Sequence, residues 1–355
     1  MGTTFGGESM KGNYFTSLDR AYVIAEIGVN HNGSVALARE MILAAKQAGA
    51  DAVKFQTFTA ASLVTPDTPK VEYQKCTTDV AETHYAMLER LELSRQAHVE
   101  LSELCRTEGI DFLSTPYDID SARFLESLGV RMFKTASADL VDLPLQRYIA
   151  STGKPAIVAT GMSGLGEIEQ VVDIFDAASN PNLVLLHCVS NYPCSDESLN
   201  LKALVTLRDA FGVPVGYSDH SAGPLAAAVA VALGAIVVEK HFTLDKDFPG
   251  PDHRASSTPD EFAVLVQTVR RAEAMLGSAR KRCQSEERQM ASVSRKSLVL
   301  ARGVKEGEMI CSSDLKLMRP GTGITAMFAS QVEGRRARTD LDALHRLRWE
   351  DLEAM

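Results

Sequence analysis

The chain has 355 residues, 45% hydrophobic and 23% charged, a globular composition with room for one large domain and a small one. A formal net charge of −9 excludes a general nucleic-acid footprint, so an anionic ligand must be held by a few placed cations and backbone donors. The six scattered cysteines form no CxxC pair and read as reduced thiols of a cytoplasmic protein.

Residues 1–17 contain no apolar signal core, and Gly6 stands where a myristoylation signal needs Ser or Thr, so this stretch reads as a mobile leader. Eight β-rich runs follow: AYVIAEIG at 21–28, DAVKFQT at 51–57, IDFLST at 110–115, RMFKTAS at 131–137, PAIVAT at 155–160, LVLLHC at 183–188, VPVGYS at 213–218 and AIVVEK at 235–240. Stretches with helical spacing lie between them. One begins at a Ser94 cap and stops at Gly109; the last begins at Ser257-Thr258-Pro259 and stops near Gly277. Strict β–α alternation predicts a parallel sheet with helices outside, and eight units in about 260 residues match the closed α/β barrel, the (β/α)8 or TIM barrel, over 18–278. An open doubly wound sheet is the alternative, disfavoured because His31-Asn32-Gly33 rather than GxGxxG follows the first run. Residues 279–295 read as a charged linker. From Lys296 short strands, a KEGE turn and an RPGTG loop predict a small β-rich domain over 296–355, marginal alone.

The uncharged, Ala-rich segment 221–238 would make a short membrane span, broken by Gly223-Pro224 and Gly234; a buried helix leading into a buried parallel strand is the better reading. A barrel carries its active site at the C-terminal strand ends. Those ends hold Glu26, Lys54, Gln56, Ser114, Thr115, Lys134, Ser137, Thr160, Ser190 and two clusters that stand out, Ser218-Asp219-His220 and Glu239-Lys240-His241. Lysines inside AVKFQ and MFKTA are costly unless paired, which random loop polarity does not explain. His220 and His241 come from adjacent strands. Two neutral imidazoles there suit a borderline divalent ion such as Mn²⁺, Zn²⁺ or Fe²⁺, with substrate and water completing the shell. Lys54 and Lys134 among hydroxyls make a phosphate and carboxylate cradle; in the rival reading a lysine forms a Schiff base. Glu26 and Asp252 are candidate general acids or bases. His187, inside LVLLHC, reads as a satisfied barrel residue.

The ordered motifs AEIGVNHNG, VKFQTF, FLSTPYD, FKTASADL, ATGMS, LLHCVSNYP, GYSDH, EKHFTLD, PGPDHRAS and RPGTGI span nearly the whole chain. They resemble the bacterial sialic acid synthases and their close relatives, legionaminic acid synthases included. The resemblance implies a TIM barrel joined to a C-terminal antifreeze-like (SAF) domain. It implies condensation of phosphoenolpyruvate with an N-acetylated mannose-type sugar, releasing phosphate and forming a nine-carbon 2-keto acid. It further implies metal ligation by His220 and His241, usually of Mn²⁺, with Mg²⁺ or Co²⁺ as alternatives. Lys54, Thr115, Lys134, Ser137, Ser190 and Ser218 match the phosphoenolpyruvate pocket, and Glu26 and Asp252 match carboxylates near the reacting carbons. Gln56, Asp139 and Tyr192 match positions facing the amino sugar. Arg319 resembles an arginine that reaches a sugar acyl group from the neighbouring subunit, which implies a homodimer with a swapped C-terminal domain. Ala159 stands where Ser is frequent, Ala138 replaces a common Gly, and Asp139 replaces the Glu of some sialic acid synthases. The expected activity is N-acetylneuraminate synthase using N-acetylmannosamine. The alternative is legionaminic acid synthase using 2,4-diacetamido-2,4,6-trideoxymannose; pseudaminic acid and 9-phosphate-forming synthases match less well. A non-catalytic ice- or carbohydrate-binding protein is disfavoured by the intact lysines and histidines and by the charged tail.

Overall fold

Side-chain alternation along eight strands builds the large unit from the inside out. The strands are β1 (Tyr22–Gly28), β2 (Ala52–Thr57), β3 (Asp111–Pro116), β4 (Phe133–Thr135), β5 (Ala156–Ala159), β6 (Leu183–Cys188), β7 (Val215–Asp219) and β8 (Ala235–His241). In the computed structural model, which describes residues 12–79 and 81–354, they are parallel and hydrogen-bonded in the order β3-β2-β1-β8-β7-β6-β5-β4. β3 and β4 pack side by side at the seam, giving the expected barrel. Ile24, Ala52, Leu113, Met132, Ile157, Leu186 and Val237 fill its interior near the N-terminal strand ends. Side chains two residues further along a strand point to the same face. The next interior positions therefore include Glu26, Lys54, Thr115, Lys134 and Glu239, so an apolar floor gives way to a charged upper half.

The opposite faces of the strands pack on the helices through one large cluster that includes Val23, Val53, Phe55, Leu185, Tyr217, Phe262 and Val269. Local signals set the helix ends. Ser94 caps Arg95–Glu108 by accepting from Ala97 N, and Gly109 closes it in the left-handed conformation. Thr258 and Glu261 form a capping box around Pro259–Leu276. The Ala-rich segment forms a helix, Leu225–Ala232, packed between sheet and neighbours. Among the described residues no helix is long and apolar enough to cross a membrane.

Two features differ from expectation. The leader was expected to be mobile through residue 17; residues 1–11 lie outside the described residues, but the rest is built into the barrel. Tyr14–Ser17 is a 3-10 turn whose Phe15 is 1% exposed and plugs the barrel floor, while Asn13 Nδ2 donates to Leu183 O at 2.9 Å. Burying that ring contributes roughly 1.5–3 kcal/mol. The second feature is an excursion after β2, carrying the short helices Ala60–Leu63, Glu72–Thr77 and His84–Leu91. Phe58, Ala60, Met87, Leu88 and Leu91 join Val29 in a separate apolar cluster of this excursion.

The contacts divide the chain into Met1–Gly277 and Ser278–Met355. The second unit begins with a 3-10 turn, Ser285–Glu287, that leads into a short α-helix, Arg288–Ser294. Its strands Ser297–Leu300 and Leu315–Met318 pair antiparallel over a core that includes Leu298, Leu300, Val304, Ile310, Ile324 and Leu347.

Candidate active site

Strand register assembles the site. Glu26 on β1 lies level with Lys54 on β2 and with His241 on β8, and Ser218 on β7 lies level with Glu239 on β8. Glu26 pairs directly with Lys54. Lys54 Nζ also donates to Thr115 Oγ1 at 3.1 Å and lies 3.9 Å from Glu239 Oε2. Lys134 reaches across from β4 to within 3.3 Å of Glu239 Oε1 and donates to Thr135 O at 3.1 Å. The Ser218 hydroxyl donates to Glu239 Oε1 at 3.0 Å. Two ammonium groups and two carboxylates are thus packed inside the barrel, each 4% exposed or less.

The cluster's electrostatics follow from burial and mutual contact. Burial pushes Glu239 up, but Lys134, then Lys54, then the Ser218 hydroxyl outweigh it and hold the carboxyl at about 2. Burial pushes Lys54 down to about 7, with Glu239 opposing and Lys134 reinforcing. Its contact with Glu26 favours the charged form.

His220 and His241 stand beside this cluster with ring centroids 5.6 Å apart. Burial lowers both pKa values, His241 further because His220 and Lys54 adjoin it, so both imidazoles are neutral. His220 Nδ1 donates to Val189 O at 2.7 Å, which leaves the Nε2 lone pair unprotonated. His241 Nδ1 is buried without a hydrogen-bond partner. Tyr192 covers the pair, 4.2 Å from the His220 ring and edge-on to His241 at 5.5 Å. Among the described residues no three His, Cys, Asp or Glu side chains converge as a metal cluster. The orphaned His241 nitrogen and the unprotonated His220 Nε2, which lies 3.4 Å from Ser218 Oγ, nonetheless suit a divalent ion whose shell is completed by other ligands.

A second cradle surrounds Gly161, just past β5. A Cβ there would come 2.6 Å from Ser190 Oγ, 2.8 Å from Ser137 Oγ and 2.9 Å from Cys188 Sγ, so only glycine admits both hydroxyls. Gly161 N donates to Ser137 Oγ at 3.0 Å. Thr160, by contrast, turns its hydroxyl to Leu186 O at 3.0 Å and is satisfied there. Gln56 is half-buried, two residues beyond Lys54 on the same strand face. Asp139 lies in the 3-10 turn Ser137–Val141, and its Oδ2 is buried without a hydrogen-bond partner. Burial, then neighbouring Asp142, push its carboxyl up to about 7 against the pull of Lys134. Asp252 is half-buried in the loop after β8. Arg319 is exposed and belongs to the second unit.

The singled-out Ser218-Asp219-His220 and Glu239-Lys240-His241 clusters split by face. Asp219 and Lys240 form an outward pair at 2.7 Å, and Lys240 also donates to Ser221 O at 2.7 Å. Behind that pair is a cavity of about 420 Å³ lined by Ser221, Lys240, Arg254 and the start of Pro259–Leu276, on the outer side of the barrel wall from the lysine–carboxylate cluster. Glu239 stands among the expected strand-end residues but without a role of its own, although the period of two from Val237 places it inside. His187 donates from Nε2 to Leu199 O at 2.7 Å and is structural, as expected.

Residues 41–281 match the NeuB family model, and residues 295–353 match the SAF domain. The chain is 47% identical to the N,N'-diacetyllegionaminic acid synthase of Legionella pneumophila, over 94% of this chain and 95% of that one. It is 37% identical to the pseudaminic acid synthase of Campylobacter jejuni, covering 93% and 96% of the two chains. The solved structure of the N-acetylneuraminic acid synthetase of Leptospira borgpetersenii superposes with a TM-score of 0.68 at 33% identity, covering 77% of this chain and 90% of that one. The sequence motifs, the barrel with its charged interior and these matches agree: the chain belongs to the NeuB family of sugar-acid synthases and carries a C-terminal SAF domain.

Proposed function

We propose that this chain condenses phosphoenolpyruvate with the open-chain aldehyde of an N-acetylated mannose-type sugar, releasing phosphate by C–O cleavage. The observation that carries this reading is the buried pair Lys54 and Lys134, balanced by Glu26 and Glu239 and placed beside two neutral histidines. Two cations plus the hydroxyls of Thr115, Ser137, Ser190 and Ser218 suit a ligand with a phosphate and a carboxylate. Both lysines are engaged by carboxylates, which disfavours a Schiff-base role.

His220 and His241 would hold a divalent ion, most suitably Mn²⁺, with Mg²⁺ or Co²⁺ as alternatives. When bound, it would supply Lewis-acid polarisation of the sugar aldehyde. Lys54 and Lys134 hold phosphoenolpyruvate so that its terminal enol carbon meets the aldehyde carbon. C–C bond formation leaves positive charge on the phosphate-bearing carbon. Glu26 orients a water toward that carbon and takes its proton, and the tetrahedral adduct then expels phosphate. Asp252 assists proton transfer at the reacting carbons. Tyr192, Gln56 and Asp139 orient the sugar.

The 47% identity to a diacetyllegionaminic acid synthase favours 2,4-diacetamido-2,4,6-trideoxymannose as the acceptor, ahead of the N-acetylmannosamine first expected. The likeness to a solved N-acetylneuraminic acid synthetase keeps N-acetylmannosamine as the second reading. Phosphate release from phosphoenolpyruvate, measured with Mn²⁺ and a panel of these sugars, decides between them. Chelation should abolish turnover, whereas borohydride with substrate should not. Silence with every sugar in the presence of metal would sink the proposal. The buried free thiols Cys105, Cys188 and Cys194 accord with a cytoplasmic enzyme.

Two residues give sharper tests of the sugar half. A carboxyl raised to about 7 is protonated below that pH and donates a hydrogen bond to the sugar; above it, only acceptors remain. The sugar KM of the wild type should therefore rise as pH increases through about 7, while Asp139→Asn, always a donor, should show a flat profile. Parallel profiles would remove Asp139 from the sugar site. Arg319 is proposed to serve a neighbouring subunit's site in a swapped homodimer. Arg319→Ala should raise the sugar KM about 10-fold or more with little change in the phosphoenolpyruvate KM, as loss of a charged hydrogen bond implies. An unchanged sugar KM, or a monomer by light scattering, counts against that arrangement.

A further inference from the structure

The loops after β1 and β8 are stitched together by a buried polar network that the proposed chemistry does not use. Asn30 Nδ2 donates to Phe242 O at 2.9 Å and to Ser256 Oγ at 2.8 Å. Asn32 Nδ2 donates to His253 Nε2 at 3.2 Å. With Nε2 accepting, His253 Nδ1 carries the proton and donates to Thr243 Oγ1 at 2.7 Å. The Thr243 hydroxyl passes the chain on to Asp245 O at 2.9 Å. One tautomer thereby satisfies three elements in series.

Packing closes on the same ring. His253 is fully buried and lies edge-on to Phe248, with centroids 5.6 Å apart. Gly250 crosses the ring so closely that a Cβ would come 2.7 Å from His253 Cδ2 and 2.8 Å from Asn32 Oδ1. The neighbouring His31 has its own anchor, accepting from Gly33 N at 3.0 Å. The excursion after β2 touches the same loop through Thr77 Oγ1, which donates to Pro251 O at 3.3 Å. Residues 250–253 are therefore held from three directions, with one imidazole as the cross-link between the β1 and β8 loops.

We propose that His253 is a positioning residue: its neutral imidazole locks the loop carrying Asp252 onto the β1 loop through Asn32. It touches no reacting atom and acts through Asp252, so the inference rests on the synthase reading for Asp252. Misplacing a reacting group by about 1 Å costs turnover about 10²-fold, which sets the scale.

The test uses the full chain and begins with amide hydrogen exchange without substrates. In His253→Ala and in Asn32→Ala, residues 244–256 should exchange at least about 10-fold faster than in the wild type, while exchange in the barrel strands stays unchanged. His253→Gln, which retains a polar group on the Nε2 side, should restore protection; His253→Asn, which mimics only the Nδ1 side, should not. Kinetically, His253→Ala should lower kcat about 10²-fold with both KM values within about 2-fold. The Asn32→Ala/His253→Ala double variant should be no worse than the poorer single one, as expected for partners in one link. Unchanged loop exchange in His253→Ala, or additive losses in the double variant, would overturn the lock. A wild type that releases no phosphate with any sugar would instead defeat the synthase reading, and the exchange result would still decide the lock.

Discussion

Glu239→Gln should lower stability in urea unfolding by about 3–5 kcal/mol, the usual cost of removing one partner from a buried ion pair. Glu239 is 4% exposed and is the counter-charge nearest Lys134, at 3.3 Å, while also serving Lys54 at 3.9 Å and accepting from Ser218. The glutamine is nearly isosteric, so the variant isolates charge from packing. It leaves Lys134 without its 3.3 Å carboxylate partner and Lys54 with the Glu26 contact. The pH dependence has a defined sign. A carboxyl held at about 2, against an unfolded value near 4.5, stabilises fully above about pH 4.5 and loses that contribution as pH falls toward 2. The gap between wild type and variant should therefore be widest at neutral pH and should close in acid. Ligand should narrow it too, because the proposed substrate brings anions to the same lysines. Saturating phosphoenolpyruvate should raise the melting temperature of the variant more than that of the wild type. A stability loss below about 1 kcal/mol would show that Glu239 is not the counter-charge its distances indicate.

The barrel was legible because each strand is a short apolar run set off by helical stretches, and none of the eight strands is displaced by more than two residues from its expected run. Lys54 and Lys134 were legible because a charge inside such a run demands a partner. The role of Glu239 was not legible because three polar residues in a row, Glu239-Lys240-His241, read as one cluster. The pleat sends Glu239 and His241 inward and Lys240 outward to Asp219. The same parity divides Ser218 and His220 from Asp219. Phe15 was missed for a different reason. The aromatic residues of the polar leader, Phe5 and Tyr14-Phe15, show no periodicity, and the burial of Phe15 depends on the open floor of a barrel formed by strands far along the chain. The excursion after β2 escaped notice because its helices are short and its apolar contacts are largely internal. The network around His253 joins residues from Asn30 to Ser256, a pairing that only the closed barrel creates.

Glu26→Gln should cut kcat by about 10²–10⁴-fold, the range for loss of a positioned general base, while metal content stays at the wild-type level. Register puts Glu26 level with both Lys54 and His241, and its Oε1 is buried without a hydrogen-bond partner. An unused carboxylate oxygen inside a charged barrel is placed to accept a proton from substrate or water. Glutamine fills the same volume but cannot take that proton. It also removes the negative charge in contact with Lys54, so the ammonium loses support. Burial already lowers Lys54 to about 7, and a lysine is neutral above its pKa. The wild-type kcat/KM for phosphoenolpyruvate should therefore fall as pH rises beyond about 7, and in Glu26→Gln that fall should begin at lower pH. Burial holds His220 and His241 neutral, with His220 and Lys54 adding to the effect at His241, and Glu26 acts on neither ring, so metal uptake should survive. A near-normal kcat would take Glu26 out of the chemistry, and loss of metal from the variant would make it part of the metal scaffold instead. Low kcat, retained metal and an earlier basic limb together are the signature of a base that also tunes the lysine beside it.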